Sequence, residues 1–306
     1  MTVAVADGGR REAIDAFAAI MMIGLTFSWG LNQVAIKIAN TGYSPMFVLF
    51  LRSAVAAGLV FLWCRYRRIS LFQRDGTLLP GLLAGALFGL EFFCIFVGLE
   101  YTSAARGALM LNAMPFWMLL GGHFLLGEKM SAVKFVGLVL AFAGVSLVFS
   151  DGLSLPGPGA IIGDVLCLLG GVLWAATIVV IKHSRLTDAS AEKTLLYQLS
   201  VSGLMALPFI PFNGPILRDV SWLASGAFVF QAVFVVAFTY VVWFWLMRRY
   251  PASGLSSFAF LTPAFGVLSG AVVLGEPLTA KIVLALCLIA IGLLVVNRPH
   301  RRVVPG

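Results

Sequence analysis

Ten apolar stretches, each about 20 residues long and set apart by short polar or Gly/Pro-rich breaks, fill this 306-residue sequence. At 1.5 Å of rise per residue, about 20 apolar residues carry a helix across the hydrocarbon of a bilayer. The stretches fall at 14–38, 44–63, 77–99, 103–126, 131–150, 160–182, 191–212, 222–247, 251–274 and 279–297. Within hydrocarbon every backbone amide must find its partner inside the chain, so only helices or a closed barrel can cross. Barrel strands alternate apolar and polar residues, and these runs do not. The expectation is an all-α, polytopic membrane protein with ten transmembrane helices. Composition agrees: 60% of residues are hydrophobic and only 11% charged, with mean hydropathy +1.00, whereas soluble domains are about one quarter charged. A water-soluble globule is excluded, because too few ionisable groups exist to cover its surface.

The net charge of +8 reads as topology. Sixteen of the 21 Lys and Arg residues fall in connections on the N-terminal side, while Lys37, Arg106, Arg218 and Lys281 fall on the other and Arg52 lies within a span. The positive-inside rule then puts both termini in the cytoplasm, with 1–13 and 298–306 as cytoplasmic segments. Charge dispersed in this way forms no contiguous basic patch for nucleic acid. The first stretch follows Arg10 and Arg11 but is too long for the apolar region of a cleaved signal peptide. Cys64, Cys94, Cys167 and Cys287 have neither disulfide-framework nor metal-site spacing.

The two halves repeat one another. Trp29, Lys37 and Gly58 recur 145 residues later as Trp174, Lys182 and Gly203. Ala104, Pro115, Gly127, Glu128 and Gly144 recur 148 residues later as Ala252, Pro263, Gly275, Glu276 and Gly292. The repeats are 14–150 and 160–297, with five spans each. Five is odd, so the second copy enters the membrane inverted, and a substrate site is expected near the midplane between halves that rock about it.

The run Gly24-Leu-Thr-Phe-Ser-Trp29-Gly-Leu-Asn-Gln-Val-Ala-Ile-Lys37, with the pairs Gly127-Glu128 and Gly275-Glu276 each opening the last helix of its half, resembles the EamA-type branch of the drug/metabolite transporter superfamily. The resemblance covers nearly the whole chain, and within the branch it is closest to amino-acid exporters of the bacterial inner membrane. It implies a 5+5 inverted-repeat exporter of small metabolites, most of all amino acids including aromatic and apolar ones, with a central cavity and no cofactor. Its partners would be a small-molecule substrate and the lipid bilayer, with monomer and homodimer both open. Efflux of lipophilic cations or drugs is the alternative substrate class, and a non-carrier channel is a further alternative that lacks the charged rings of a pore. No zinc-protease, Walker or paired-aspartate motif points to an enzyme or a pump.

Ionisable and amide side chains within spans are costly and therefore functional candidates. Arg52 and Glu91 each lie about 12 Å into neighbouring spans, which predicts a buried ion pair serving either as a clamp or as a substrate contact. Trp29 and Asn32 share a helix face, with Gln33 beside them. Trp174 and Thr177 stand at the matching positions of the sixth span. Asn112, Tyr197, Gln198, Gln231, Tyr240, Trp243 and Phe260 complete the candidate lining. Pro115 and Pro263, at matched positions, are candidate hinges because proline frees a carbonyl one turn earlier. Lys37 is expected to snorkel to the interface, and Glu128 and Glu276 to cap the helices they precede.

Overall fold

In the computed structural model of the chain, residues 15–73, 75–126, 131–151, 155–250, 255, 258 and 261–296 are described. The regular secondary structure of the described residues is helical, apart from one isolated bridge between Tyr43 and Leu217. The first half comprises α1 (Ala16–Gly42), α2 (Pro45–Tyr66), α3 (Leu78–Tyr101), α4 (Ala104–Leu111), α5 (Met114–Leu126) and α6 (Ala132–Ser150). The second comprises α7 (Ala160–Lys182), α8 (Ala191–Ala206), α9 (Trp222–Val229), α10 (Thr239–Arg249), α11 (Leu261–Leu274) and α12 (Ala280–Val296). A 3-10 turn (Leu207–Phe212) extends α8, and a π-helical turn (Phe230–Phe238) joins α9 to α10. We call the end of the bundle where α1 begins its near end, and the end where α1 finishes its far end.

Local chemistry starts these helices where the sequence predicts. Asp15, Ser44, Ser103, Ser131, Ser190 and Ser221 each accept a hydrogen bond from the backbone N–H three residues on, satisfying a donor that the first turn leaves open. Five helical segments, α1, α2, α3, α7 and Ala191–Phe212, are singly long and apolar enough to cross a membrane. The fourth span is broken. Asn112 and Ala113 bond back to Ala108 and Met110 as α4 ends, and Pro115 sits in the first turn of α5.

The packing has two-fold character. α1 of the first half packs on α11 and α9 of the second, and α7 of the second packs on α4, α5 and α3 of the first. α3 packs on α8 as the π-helical turn packs on α2, while α2 meets α8, α4 meets α11 and α6 meets α12 across the halves. Exchanging the halves carries this pattern into itself, as expected of a 5+5 repeat.

Glycine sets the seams. Gly81, Gly85 and Gly89 line α3 at a spacing of four. A Cβ on Gly81 would stand 2.6 Å from the Tyr197 ring, and one on Gly85 2.8 Å from the Tyr197 carbonyl oxygen. Such contacts replace a hydrophobic driving force that is missing inside lipid. Large apolar side chains on the opposite faces, such as Leu79 and Val272, are exposed, as suits contact with lipid.

Candidate functional site

The helices bring two sets of buried polar side chains to different depths. At the far end the groups around Arg106 are satisfied, although Asn40 Oδ1 and Asn213 Oδ1 nearby have no partner among the described residues. Arg106, on α4, is wholly buried, and its Nε donates to both carboxylate oxygens of Asp164 on α7, each at 3.1 Å, while Nη2 completes the fork. Nη1 donates to the Asp151 carbonyl at 3.0 Å, and the Thr102 hydroxyl donates to Asp164 at 2.5 Å. The loop-charge count places Arg106 on the far side of the membrane, at the start of the fourth span. Its neighbours Ala104, Ala105 and Gly107 are small and buried, which draws this turn inside and obliges its charge to pair.

Glu276 also departs from expectation. It caps α4, not the helix that follows it, accepting from the backbone N–H groups of Ala104 at 2.7 Å and Ala105 at 2.9 Å. Its carboxylate thereby ties the second half to the positive end of a helix dipole in the first. Lys37 does not snorkel: its ammonium donates to the carbonyls of Leu99 and Thr102 at the C-terminal end of α3. Arg218 pairs with Glu100 and donates to the Asn40 carbonyl at 3.0 Å.

Deeper in the bundle the pattern reverses. Arg52 on α2 is 1% exposed and Glu91 on α3 is 3% exposed. They interact electrostatically, together with Tyr240, but the expected ion pair between them is not formed. The Arg52 guanidinium instead lies over the Phe92 ring at 4.0 Å and the Phe96 ring at 5.2 Å, a cation–π arrangement that holds its plane. Its Nε and Nη2 have no hydrogen-bond partner within the protein, nor has Glu91 Oε2. Asn32 Oδ1 and Gln33 Oε1 on α1, and Gln231 Oε1 on the π-helical turn, are likewise unmatched. These residues lie seven to ten positions from the far ends of their helical segments, a common depth of about 10–15 Å. An unmatched buried polar group costs about 1–3 kcal/mol, so this cluster does not contribute to stability.

The π-helical turn, a winding frequent at functional sites, faces α1. Gln231 Nε2 donates to the Ala35 carbonyl at 3.1 Å, and Thr239 accepts from the Trp29 indole N–H at 3.0 Å. Trp243 stands edge-on to Trp29, with ring centroids 5.7 Å apart. Arg52, Glu91 and Tyr240 thus lie near one another, Gln231 reaches α1 at Ala35, and Trp29 and Trp243 pack in a separate cluster with Met22, Leu246 and Tyr250 toward the near end.

Other candidates fall elsewhere. Tyr197 packs in the α3–α8 seam with its hydroxyl 3.3 Å from that of Thr77, near the near end. There Lys193 pairs with Asp75 at 2.7 Å, and the Lys193 ammonium together with the Thr77 hydroxyl holds the Asp75 carboxyl well below the usual carboxylate range. Gln198 is buried on α8. Thr177 bonds back to the Leu173 carbonyl at 2.9 Å, and Trp174 packs on the main apolar core. The Asn112 amide bonds the Ala108 carbonyl at 2.7 Å and so belongs to the helix break. Phe260 and the Gly127-Glu128 pair lie outside the described residues.

The two prolines border close crossings. Pro115 has no N–H for the Leu111 carbonyl, which lies 3.0 Å from where a Cβ on Gly171 would be. On α11, beside Pro263, the Thr262 carbonyl lies 2.8 Å from where a Cβ on Gly30 would be.

No residue pattern signals the π-helical turn, the Phe92–Phe96 shelf or the partnership of Trp29 with Thr239. The Arg106–Asp164 pair has a signal in the small neighbours Ala105 and Gly107 of Arg106 and Gly163 of Asp164. Among the described residues no group of three His, Cys, Asp or Glu side chains is placed to hold a metal.

Comparison with known proteins bears on the whole chain. The model of the EamA-like transporter family matches twice, at residues 16–150 and 161–298. An uncharacterized transporter of Bacillus subtilis, YoaV, is 25% identical over 89% of this chain and 94% of its own. A probable amino-acid metabolite efflux pump of Escherichia coli is 26% identical over 87% of this chain and 89% of its own. A protein of the same description in Salmonella typhimurium is 25% identical over 91% and 93%. A crystal structure at 23% identity superposes with a TM-score of 0.62, covering 91% of this chain and 96% of its own, which shows a shared fold.

Proposed function

The chain belongs to the EamA-like transporter family, and from that premise we propose that it exports amino acids, including aromatic and apolar ones, across the bacterial inner membrane as a secondary carrier. The protein is a membrane transporter and not an enzyme. The observation that carries the finer reading is the cluster of buried, unmatched polar atoms on Asn32, Gln33, Arg52, Glu91 and Gln231, contributed by both halves at one depth. Groups that find no partner in the fold are positioned to find one in a substrate, and the aromatic rings of Phe92 and Phe96 beside Arg52 suit an apolar side chain.

In this reading the near end, where the basic connections gather, is cytoplasmic, as are both termini. The halves 14–150 and 160–297 rock about the central site, and the breaks at Pro115 and Pro263 absorb the change. Release at the far end requires Glu276 to leave the start of α4 and the Arg106–Asp164 fork to separate from its surroundings. The names of the two efflux pumps agree with this substrate class.

The test is counterflow in proteoliposomes. Labelled L-phenylalanine outside should accumulate transiently when unlabelled amino acid is trapped inside, because trans-stimulation requires a carrier. Absence of counterflow across a broad amino-acid panel, with accumulation of lipophilic cationic dyes instead, would replace this reading by drug efflux.

A further inference from the structure

Arg52 and Glu91 present a chemical problem that the fold itself does not solve. Both are buried, opposite in charge and electrostatically coupled, yet they form no ion pair. The unmatched edge of Arg52 is its Nε–Nη2 edge. Arg106 uses that same edge to grip the Asp164 carboxylate. It presents two parallel N–H donors in a rigid plane, the geometry that matches a carboxylate bidentately. Phe92 and Phe96 lie against the Arg52 guanidinium, and its buried Nε and Nη2 donors are left without a partner. Glu91, next to Phe92 on α3, offers Oε2 as an acceptor for a cation.

We propose that Arg52 and Glu91 read the two charges of a zwitterionic α-amino acid, the Nε–Nη2 edge of Arg52 holding its carboxylate and Glu91 its ammonium. This inference rests on the amino-acid reading above and adds which atoms recognise the head group. Charge balance argues for the zwitterion over either half of it. The pair is neutral overall and so is an α-amino acid, so binding matches both buried charges and adds no net charge to a medium of low dielectric. A plain amine would leave Arg52 unmatched, and a plain carboxylate would leave Glu91 unmatched, each carrying the cost of a stranded buried charge.

Competition against L-phenylalanine counterflow tests this, with phenethylamine carrying the ammonium alone and 3-phenylpropanoate carrying the carboxylate alone. Against the native protein both should compete at least about thirtyfold less well than L-phenylalanine, the factor expected for truncating one partner of a buried charge pair. Glu91→Gln should narrow the gap for 3-phenylpropanoate and not for phenethylamine. Arg52→Gln should do the reverse. Arg52→Lys keeps the charge without the fork, and should weaken L-phenylalanine while leaving the protein folded, as read by its detergent melting curve. If L-phenylalanine exchanges but both single-charge compounds compete as well as it does, the head-group assignment is wrong and the carrier reading stands. If no amino acid exchanges, both readings fall. Should the glutamine variants fail to fold, the ranking on the native protein still decides.

Discussion

Arg106 at the far end and Arg52 near the middle are equally buried, and the chain treats them in opposite ways. Every edge of the far-end network is answered from within: Asp164, the Asp151 carbonyl, Thr102 and the Glu276 cap close it around the start of α4. The central cluster is left open at Arg52, Glu91, Asn32 and Gln33. Buried charge that is fully matched defines which arrangement of helices is occupied. Buried charge that is left unmatched lowers stability. Burial alone therefore says little about a polar residue's role, and the count of its unmatched atoms says much more.

The largest contrast should come from matched deletions in the two regions. Asp164→Asn strands the Arg106 charge and should cost about 3–5 kcal/mol of stability, read as a fall in the unfolding midpoint in detergent. Glu91→Gln should lower that midpoint less, because a longer-range attraction to Arg52 is lost but no hydrogen bond within the protein. A silent Asp164→Asn beside a severe Glu91→Gln would break the comparison. Next in size is Glu276→Gln, which removes the anion from the α4 dipole and weakens a two-point cap. The expected cost is about 0.5–2 kcal/mol, with faster hydrogen exchange at the Ala104 and Ala105 amides and no change at the central site. Asp75→Asn should be the mildest. The Lys193 tie is partly exposed on its Asp75 side, and exposed pairs are screened by water and salt. Because the Asp75 carboxyl is held below its usual range, the tie contributes at neutral pH, persists through the ordinary carboxylate range near pH 4, and is lost only as pH falls through the lowered value. Melting midpoints at pH 7 and pH 5 should therefore differ by the same amount in the native protein and in Asp75→Asn.

Helix edges were legible because their causes are local. The serines at 44, 103, 131, 190 and 221 cap their helices by contacts three residues away, and Pro115 breaks the fourth span by lacking one N–H. The inverted repeat was legible too, since Gly275-Glu276 echoes Gly127-Glu128 at a constant offset. The role of Glu276 was not, because the helix it caps begins 172 residues earlier in the chain. Arg52 and Glu91 were identified as the residues to examine, but as a pair in contact. Sequence spacing gave their depth and not the direction of their side chains, and the Phe92 and Phe96 rings decide that direction. Tyr197 packs its ring against Gly81 on α3, a contact between residues 116 positions apart that spacing does not reveal.

By itself the sequence determined the solvent, the number of spans, the odd-numbered repeat and the short list of costly polar residues. Hydropathy, capping and charge asymmetry act over one helix or one connection, and one strand of text contains them. Which polar atoms are matched and which are left open is a property of helices brought together from opposite halves of the chain. Only the tertiary structure could decide it, since a hydrogen bond forms or fails within a few tenths of an ångström that no residue spacing specifies.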